Sequence, residues 1–138
     1  MAQAIPYLAF DGTCAEAMRF YADTLGARLV MMLGGAETPL AEKIPPEHAH
    51  RILHAHILFD DGSLLYAGDA PAGMPFDGMK GITLTMNDPI VAEAEQVFAA
   101  RRGRAPRDAI APMFYAKMAG MLTDRFGTSW AINGEVTM

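Results

Sequence analysis

Two histidines separated by a single residue are the side chains of this sequence best suited to chemistry. His54 and His56 lie in an apolar, β-prone run over residues 52–59, which predicts a strand. Because strand side chains alternate between faces, both imidazoles would lie on one face, about 7 Å apart along the backbone. There they could act as a general acid or base, or chelate a metal ion. The alternative is that His54 is a hydrogen-bonded packing residue and His56 its exposed or partly buried neighbour.

Several side chains could complete a site around these histidines. The opposite face of the strand carries Leu53, Ala55, Ile57 and Phe59, which are typical of a core packed against a helix. The histidines are therefore expected on the open face, where hydroxyl and amide groups could orient a ligand and methionines could adapt to it. A catalytic metal would need a further ligand, for which Glu135, Asn133 and Asp69 are candidates. The expected ligand-binding residues are Tyr7, His54, His56, Tyr66, Phe114, Trp130 and Asn133.

The chain has one cysteine, Cys14, which cannot form an internal disulfide. It lies at the start of a predicted helix, where the helix dipole can lower the pKa of a thiol and create a reactive thiolate. We expect a packing role in the first helical turn rather than a reactive thiolate.

Size and composition exclude several classes of protein. A chain of 138 residues that is 51% hydrophobic and 20% charged is typical of one folded domain rather than a disordered segment. The formal net charge is -5, and the basic residues are scattered except for a cluster at Arg101, Arg102, Arg104 and Arg107, so we expect no nucleic-acid partner. No apolar run approaches the ~20 residues needed to cross a bilayer. We therefore expect no membrane partner and a cytoplasmic location.

The order of predicted elements is βαβββ, twice. In the first half a helix begins with a capping box at Thr13 and Glu16, carries Ala17, Phe20, Tyr21 and Leu25 on one face, and ends at Gly26. The long segment 34–51 is a candidate lid or dimer contact. Predicted strands cover residues 5–10, 28–33, 52–59 and 63–67, then 81–86, 109–115, 117–122 and 128–133, with a second helix over residues 89–103.

This repetition predicts an α+β fold in which two βαβββ modules form a curved, cup-shaped, eight-stranded mixed sheet with the helices outside. The whole chain would be one domain, with the first module at about residues 1–69, a linker at 70–79 and the second module at about 80–138. The concave face of the cup would be the ligand site.

Several motifs resemble PhnB-like proteins of the glyoxalase/bleomycin-resistance/extradiol-dioxygenase (vicinal oxygen chelate) superfamily. They are the segment 6–17 (PYLAFDGTCAEA), Phe20-Tyr21 with the segment 25–27 (LGA), the segment 54–56 (HAH), and the segment 123–127 (TDRFG) followed by 130–133 (WAIN). Relatives in this branch have also been labelled ubiquinone-pathway methyltransferases. The chain has no glycine-rich strand-to-helix turn of the kind that holds a nucleotide-like cofactor, which does not favour that activity.

The resemblance also implies where a metal would be bound. Enzymes of the superfamily hold a divalent metal with His, Gln or Glu near the first and last strands of each half. The corresponding positions here are about Pro6, Tyr66, Gly81 and Ala131, and none of them is a histidine or a carboxylate.

We therefore expect a metal-independent PhnB-like protein, without a cofactor, that binds a small organic molecule in its cup and forms a homodimer. The alternative is a metal-dependent lyase, isomerase or dioxygenase that uses His54 and His56. A third possibility is a protein that acts mainly through dimerisation or partner binding, with the segment 34–51 as the contact.

Overall fold

A computed structural model describes residues 2–39, 41–71, 73–89, 92 and 111–138 of the chain. The chain divides into two compact units, Met1–Gly78 and Met79–Met138. The predicted second helix and the arginine cluster near residue 104 lie almost entirely outside the described residues. Within the described part of the chain, no helix is both long and apolar enough to cross a membrane.

The first unit is a four-stranded sheet with one helix. The elements are β1 (Tyr7–Phe10), α1 (Cys14–Leu25), β2 (Arg28–Gly34), β3 (Ile52–Leu58) and β4 (Leu64–Asp69). Strand order is β1-β4-β3-β2, in which β1 and β4 are parallel and the other neighbours are antiparallel.

The second unit repeats this sheet. The strands are β5 (Leu84–Asp88), β6 (Ala111–Met113), β7 (Ala116–Thr123) and β8 (Ser129–Val136). Strand order is β5-β8-β7-β6, in which β5 and β8 are parallel, as β1 and β4 are in the first unit. The turn before the last strand has the same geometry in both units: Gly62 and Gly127 have φ of 89° and 92°, values that favour glycine. The α+β class and the repeated strand order are thus confirmed.

Helix α1 buries one apolar stripe against the sheet of its unit. The buried residues are Cys14, Ala17, Met18, Tyr21 and Ala22, which recur at intervals of three and four as a helical face requires. Phe20 and Leu25, predicted on this face, are only half-buried at its sides. The helix ends as predicted at Gly26, whose φ of 65° is left-handed and whose N–H donates to the carbonyl of Ala22.

The start of α1 differs from the predicted capping box. Thr13 precedes the helix, but its side chain makes no capping hydrogen bond. Instead, Asp69 at the end of β4 accepts the N–H groups of Gly12 and Cys14 on Oδ1, at 2.8 and 3.1 Å, and that of Ile52 on Oδ2, at 2.8 Å. The carboxylate of Asp69 therefore accepts two backbone N–H groups at the start of α1, in place of a local capping side chain. It accepts one N–H group of β3 at the same time.

The sheet of the first unit has a buried face toward α1 and a more open opposite face. Ala55 and Ile57 lie on the buried face, as predicted. Leu53 was predicted beside them but is 38% exposed. The pairing of β2 with β3 explains the difference: His54 opposes Leu33 while Ile52 opposes Gly34, so Leu53 is the extra residue of a β-bulge.

The segment between β2 and β3 is folded into three short 3₁₀ turns, Gly35–Glu37, Ala41–Lys43 and Pro46–His48. Arg51 fixes its end, because its guanidinium donates to the carbonyl of Ala70 at 2.8 Å and pairs with Asp11 at 2.7 Å. The role of this segment as a lid or a dimer contact stays a prediction.

Candidate functional site

Four aromatic side chains meet on the open face of the first sheet. Tyr66 stands at the centre, because β4 pairs it with Tyr7 on β1 and with His56 on β3. Its ring lies 4.7 Å from the ring of His54, edge to face, and 5.3 Å from that of His56. The rings of Tyr7 and His54 are 6.0 Å apart. These distances are typical of interacting aromatic pairs, so the four rings form one cluster, which we term the histidine–tyrosine face.

The two imidazoles are in direct contact. Nε2 of His54 lies 3.1 Å from Nδ1 of His56, the distance of a hydrogen bond in which one nitrogen donates and the other accepts. Burial lowers the pKa of His54, because it disfavours the charged imidazole, and the nearby His56 lowers the pKa of His54 further.

A hydrogen bond holds the Tyr7 side chain, and its position also depends on Gly68, which has no side chain. Its hydroxyl donates to the carbonyl of Leu53 at 3.1 Å. Burial raises the pKa of Tyr7, with smaller contributions from Cys14 and Asp69, so the phenol remains protonated. A Cβ on Gly68 would collide with the Tyr7 hydroxyl and lie 2.8 Å from the Leu53 carbonyl. Gly68 is therefore required for this arrangement, and nothing in the sequence marked it.

The side chains of β2 that lie beside the two histidines are apolar. Met31 and Leu33 on β2 oppose His56 and His54, and Met31 is 44% exposed. Within the described residues, the Tyr66 hydroxyl has no hydrogen-bond partner, and the same holds for Nδ1 of His54 and Nε2 of His56. A largely apolar surface with a few unpaired polar atoms is typical of sites for small organic molecules.

Three residues of the predicted binding set lie in the second unit. Trp130 is 1% exposed and donates its indole N–H to Oδ2 of Asp124 at 2.8 Å. Asn133 is on the opposite face of β8 and donates its amide to Asn87 at 3.0 Å. Phe114 is 82% exposed beside Tyr115. The structure does not bring these three together, and their part in binding stays a prediction.

The correspondence between the strands of the two units accounts for the burial of Trp130. If the two turns are matched at Gly62 and Gly127, Trp130 corresponds to Leu65, and Leu65 lies on the helix-facing side of its own sheet, 3% exposed. By the same matching, Ala131 corresponds to Tyr66. The second unit therefore lacks the central ring of the histidine–tyrosine face at the equivalent position.

The positions that hold a metal in the superfamily do not fit a metal ion here. The strand register pairs Tyr66 with Tyr7, and Ala131 with Thr85 rather than with a residue near Gly81. None of these side chains is a histidine or a carboxylate, the donors that divalent metals prefer. Among the described residues, moreover, no group of three or more His, Cys, Asp or Glu side chains could hold an ion.

Cys14 is a packing residue of the first helical turn rather than a reactive thiolate. It is fully buried in the first turn. Burial and the nearby Asp69 raise the pKa of its thiol to about 12, which outweighs the helix dipole. The thiol is therefore a small packing group.

This raised pKa predicts a loss of stability at alkaline pH. The thiol keeps its proton in the folded state after the unfolded chain, with a pKa near 9.0, has lost it. The free energy of unfolding should thus fall as pH rises through this window, by up to about 1.4 kcal/mol per pH unit. Urea unfolding at pH ~8 and ~10 measures the loss, and Cys14→Ala should lose about 1 kcal/mol less over that interval. Equal losses in both proteins would contradict this assignment.

Comparison with known proteins gives close matches over nearly the whole chain. No family model matches it. The chain is 31% identical over 140 residues to protein YjdN of Escherichia coli strain K12, covering 93% of this chain and 92% of that protein. It is 35% identical to protein PA1353 of Pseudomonas aeruginosa, whose structure superposes with a TM-score of 0.88 over 98% of each chain.

A more distant structure shares the fold. The Bacillus cereus PhnB protein, described as a putative 3-demethylubiquinone-9 3-methyltransferase, has a TM-score of 0.78 at 21% identity and covers 96% of this chain and 99% of its own.

Proposed function

The chain belongs to the family of Escherichia coli protein YjdN and has the PhnB-like fold of the glyoxalase/bleomycin-resistance/dioxygenase superfamily, and from this we propose that it binds a small, partly apolar organic molecule without a metal ion. The proposed site is the histidine–tyrosine face of the first unit. The observation that carries the proposal is the contact of four rings on an open sheet face, with Tyr66 at the centre.

The chemistry of this face favours a flat ligand. The rings of Tyr7 and Tyr66 offer aromatic surface, and Met31 adds an adaptable thioether that packs well against a ring. The hydroxyl of Tyr66, which has no hydrogen-bond partner among the described residues, can orient polar atoms of the ligand, and so can Nδ1 of His54 and Nε2 of His56. Such a site combines apolar area with few directional groups, which is how small-molecule sites gain affinity and specificity.

Binding at this face does not require a metal ion. The histidines and tyrosines of the face supply groups that can accept or donate a proton. A neutral imidazole can accept a proton, and a tyrosine hydroxyl can donate a hydrogen bond. These groups would hold a ligand whether or not a reaction follows. We also propose that the protein works as a homodimer, with the segment 34–51 as the contact.

The rival function is a metal-assisted lyase, isomerase or dioxygenase that uses the two histidines. One observation favours it: nitrogens 3.1 Å apart could both reach an ion at metal–nitrogen distances of about 2.0–2.1 Å. It would still need a third ligand, and the part of the chain with described positions offers no His, Cys, Asp or Glu that completes such a group.

Ligand-observed NMR on chelator-treated protein tests the proposal. Small aromatic compounds should show saturation transfer from the wild-type protein. The double variant H54Q/H56Q should greatly reduce it, because two of the four rings and all imidazole nitrogens of the face are lost. Asp60→Asn is the control, since Asp60 is exposed in the turn between β3 and β4, away from the histidine–tyrosine face and from the segment 34–51. Undiminished transfer in the double variant would contradict the proposed site. Stoichiometric metal that copurifies with wild type and is lost in H54Q/H56Q would favour the rival.

A further inference from the structure

The position of Leu53 is not fixed by strand pairing. As the extra residue of the bulge in β3, it has no partner in β2 or β4 in the strand registers of the described residues. Its carbonyl is nevertheless the acceptor of the Tyr7 hydroxyl, at 3.1 Å. The place of this acceptor therefore depends on how the Leu53 side chain is packed as well as on its neighbours in β3.

The Leu53 side chain packs against the segment 34–51. Gly35, in the first short 3₁₀ turn of this segment, is buried, and its N–H donates to the carbonyl of Arg51 at 3.2 Å. The Cγ atom of Leu53 lies 4.0 Å from the place that a Cβ on Gly35 would take. Ile44 is closer still, because its Cδ1 atom would collide with such a Cβ. The side chains of Ile44 and Leu53 therefore pack over the same glycine.

The fold of the segment keeps Ile44 in this place. Ile44 is half-buried, whereas its two neighbours in the chain are exposed. Its N–H donates to the carbonyl of Ala41 at 3.3 Å, which continues the second 3₁₀ turn. At the end of the segment, Arg51 is tied to Asp11 and to the carbonyl of Ala70. The segment is thus held to the sheet beyond its own turns, and it presents Ile44 to the sheet.

We infer that Ile44 is a positioning residue of the histidine–tyrosine face: it supports Leu53, whose carbonyl holds the Tyr7 hydroxyl. This inference rests on the binding function proposed above. Tyr7 is 53% exposed, so its ring would exchange among rotamers without this hydrogen bond. A ligand would then have to order the ring when it binds, which lowers its affinity. Ile44 thus contributes to binding through Leu53 and Tyr7.

Ile44→Ala should weaken the binding of benzamide, taken as a flat aromatic probe, by about threefold to tenfold. NMR titration of chelator-treated protein measures the affinity, and circular dichroism checks that the variant is folded. Ile44→Leu, which keeps a methyl group at the δ position, should restore most of the affinity. Ile82→Ala is the matched control, because Ile82 is 69% exposed and precedes β5 in the second unit. It should bind benzamide as the wild type does.

A double-mutant cycle with Tyr7→Phe shows whether Ile44 acts through the Tyr7 hydroxyl. Tyr7→Phe keeps the ring and removes the hydrogen bond, so it should weaken benzamide binding by a similar factor. When Ile44→Ala is added to Tyr7→Phe, affinity should fall by less than about twofold further, because the bond that Ile44 supports is already absent. Losses that multiply in the double variant would overturn the inference, since Ile44 would then act by a route other than Tyr7.

The NMR signal of the Tyr7 Cζ carbon tests the contact without any ligand. In protein labelled at this carbon in its four tyrosines, the Tyr7 signal is the one absent from Tyr7→Phe. Ile44→Ala should shift it, and Ile44→Leu and Ile82→Ala should not. An unchanged Tyr7 signal in Ile44→Ala would overturn the inference and leave the proposed function standing. If the signal shifts but the wild type binds no benzamide at millimolar concentration, the proposed function fails, and with it the role of Ile44 in binding.

Discussion

Asp69→Ala is expected to lower the free energy of unfolding by roughly 3–5 kcal/mol, because one carboxylate satisfies three backbone N–H groups. Two of these donors belong to Gly12 and Cys14 at the start of α1, and the third belongs to Ile52 at the start of β3. Without the carboxylate, part-buried donors stay unpaired and the link from α1 to β3 and β4 is lost. Urea unfolding followed by circular dichroism measures the change.

Asp11→Ala is the matched control for this prediction. Asp11 is also a carboxylate near the start of α1, but its partner is Arg51 and its side chain is 54% exposed. Exposed ion pairs of this kind contribute about 0–1 kcal/mol. Asp69→Asn should lie between the two, since its amide oxygen can still accept from the first turn while its NH₂ group opposes the N–H of Ile52. A loss of less than ~1 kcal/mol in Asp69→Ala would show that α1 does not depend on this carboxylate.

Asp124→Ala is expected to lower the free energy of unfolding by roughly 2–4 kcal/mol and to alter the environment of the single tryptophan. Oδ1 of Asp124 accepts the N–H groups of Phe126 and Thr128, at 2.9 and 3.0 Å, and Oδ2 accepts the indole N–H of Trp130. The carboxylate is buried, so these donors lose their acceptor where water has little access. Unfolding curves recorded by tryptophan fluorescence report both effects.

Asp61→Ala controls for the loss of an aspartate at a turn. Asp61 accepts the N–H and the hydroxyl of Ser63 in the corresponding turn of the first unit, but it is exposed. Its removal should cost less stability and leave the tryptophan emission unchanged. Equal destabilisation by Asp61→Ala and Asp124→Ala would show that burial of the Asp124 carboxylate does not increase its contribution to stability.

The repeated strands were predictable because their signals are local. Alternating apolar residues, the turn glycines Gly62 and Gly127 and the helix stop at Gly26 each depend on a few neighbouring positions. The same periodicity placed His54 and His56 on one face. The same periodicity places Trp130 and Asn133 on opposite sides of the sheet, because they are an odd number of residues apart on one strand.

The contacts that organise the site were not predictable in this way. Asp69 is 57 residues from Gly12 and 55 residues from Cys14 in the sequence. A local pattern such as the capping box at Thr13 could not indicate hydrogen bonds over that separation. The bulge at Leu53 depends on how two strands pair, and the need for Gly68 depends on where the Tyr7 ring lies above it. The sequence predicted that the two imidazoles lie on one face of the strand. The hydrogen bond between them depends on side-chain geometry in the folded sheet.

Long-range proton–nitrogen NMR of the imidazole rings, recorded on chelator-treated protein with and without benzamide, tests the binding site most directly. The spectra resolve the tautomer and protonation state of each histidine. We expect an N–H of one imidazole to donate to the other ring, as the contact between Nε2 of His54 and Nδ1 of His56 requires. We expect the outer nitrogens, Nδ1 of His54 and Nε2 of His56, to shift on addition of benzamide, a small planar aromatic compound. Outer nitrogens that do not respond to the compound, or that show the shifts of metal-bound imidazole and revert only on prolonged chelation, would contradict a metal-free ligand site on this face.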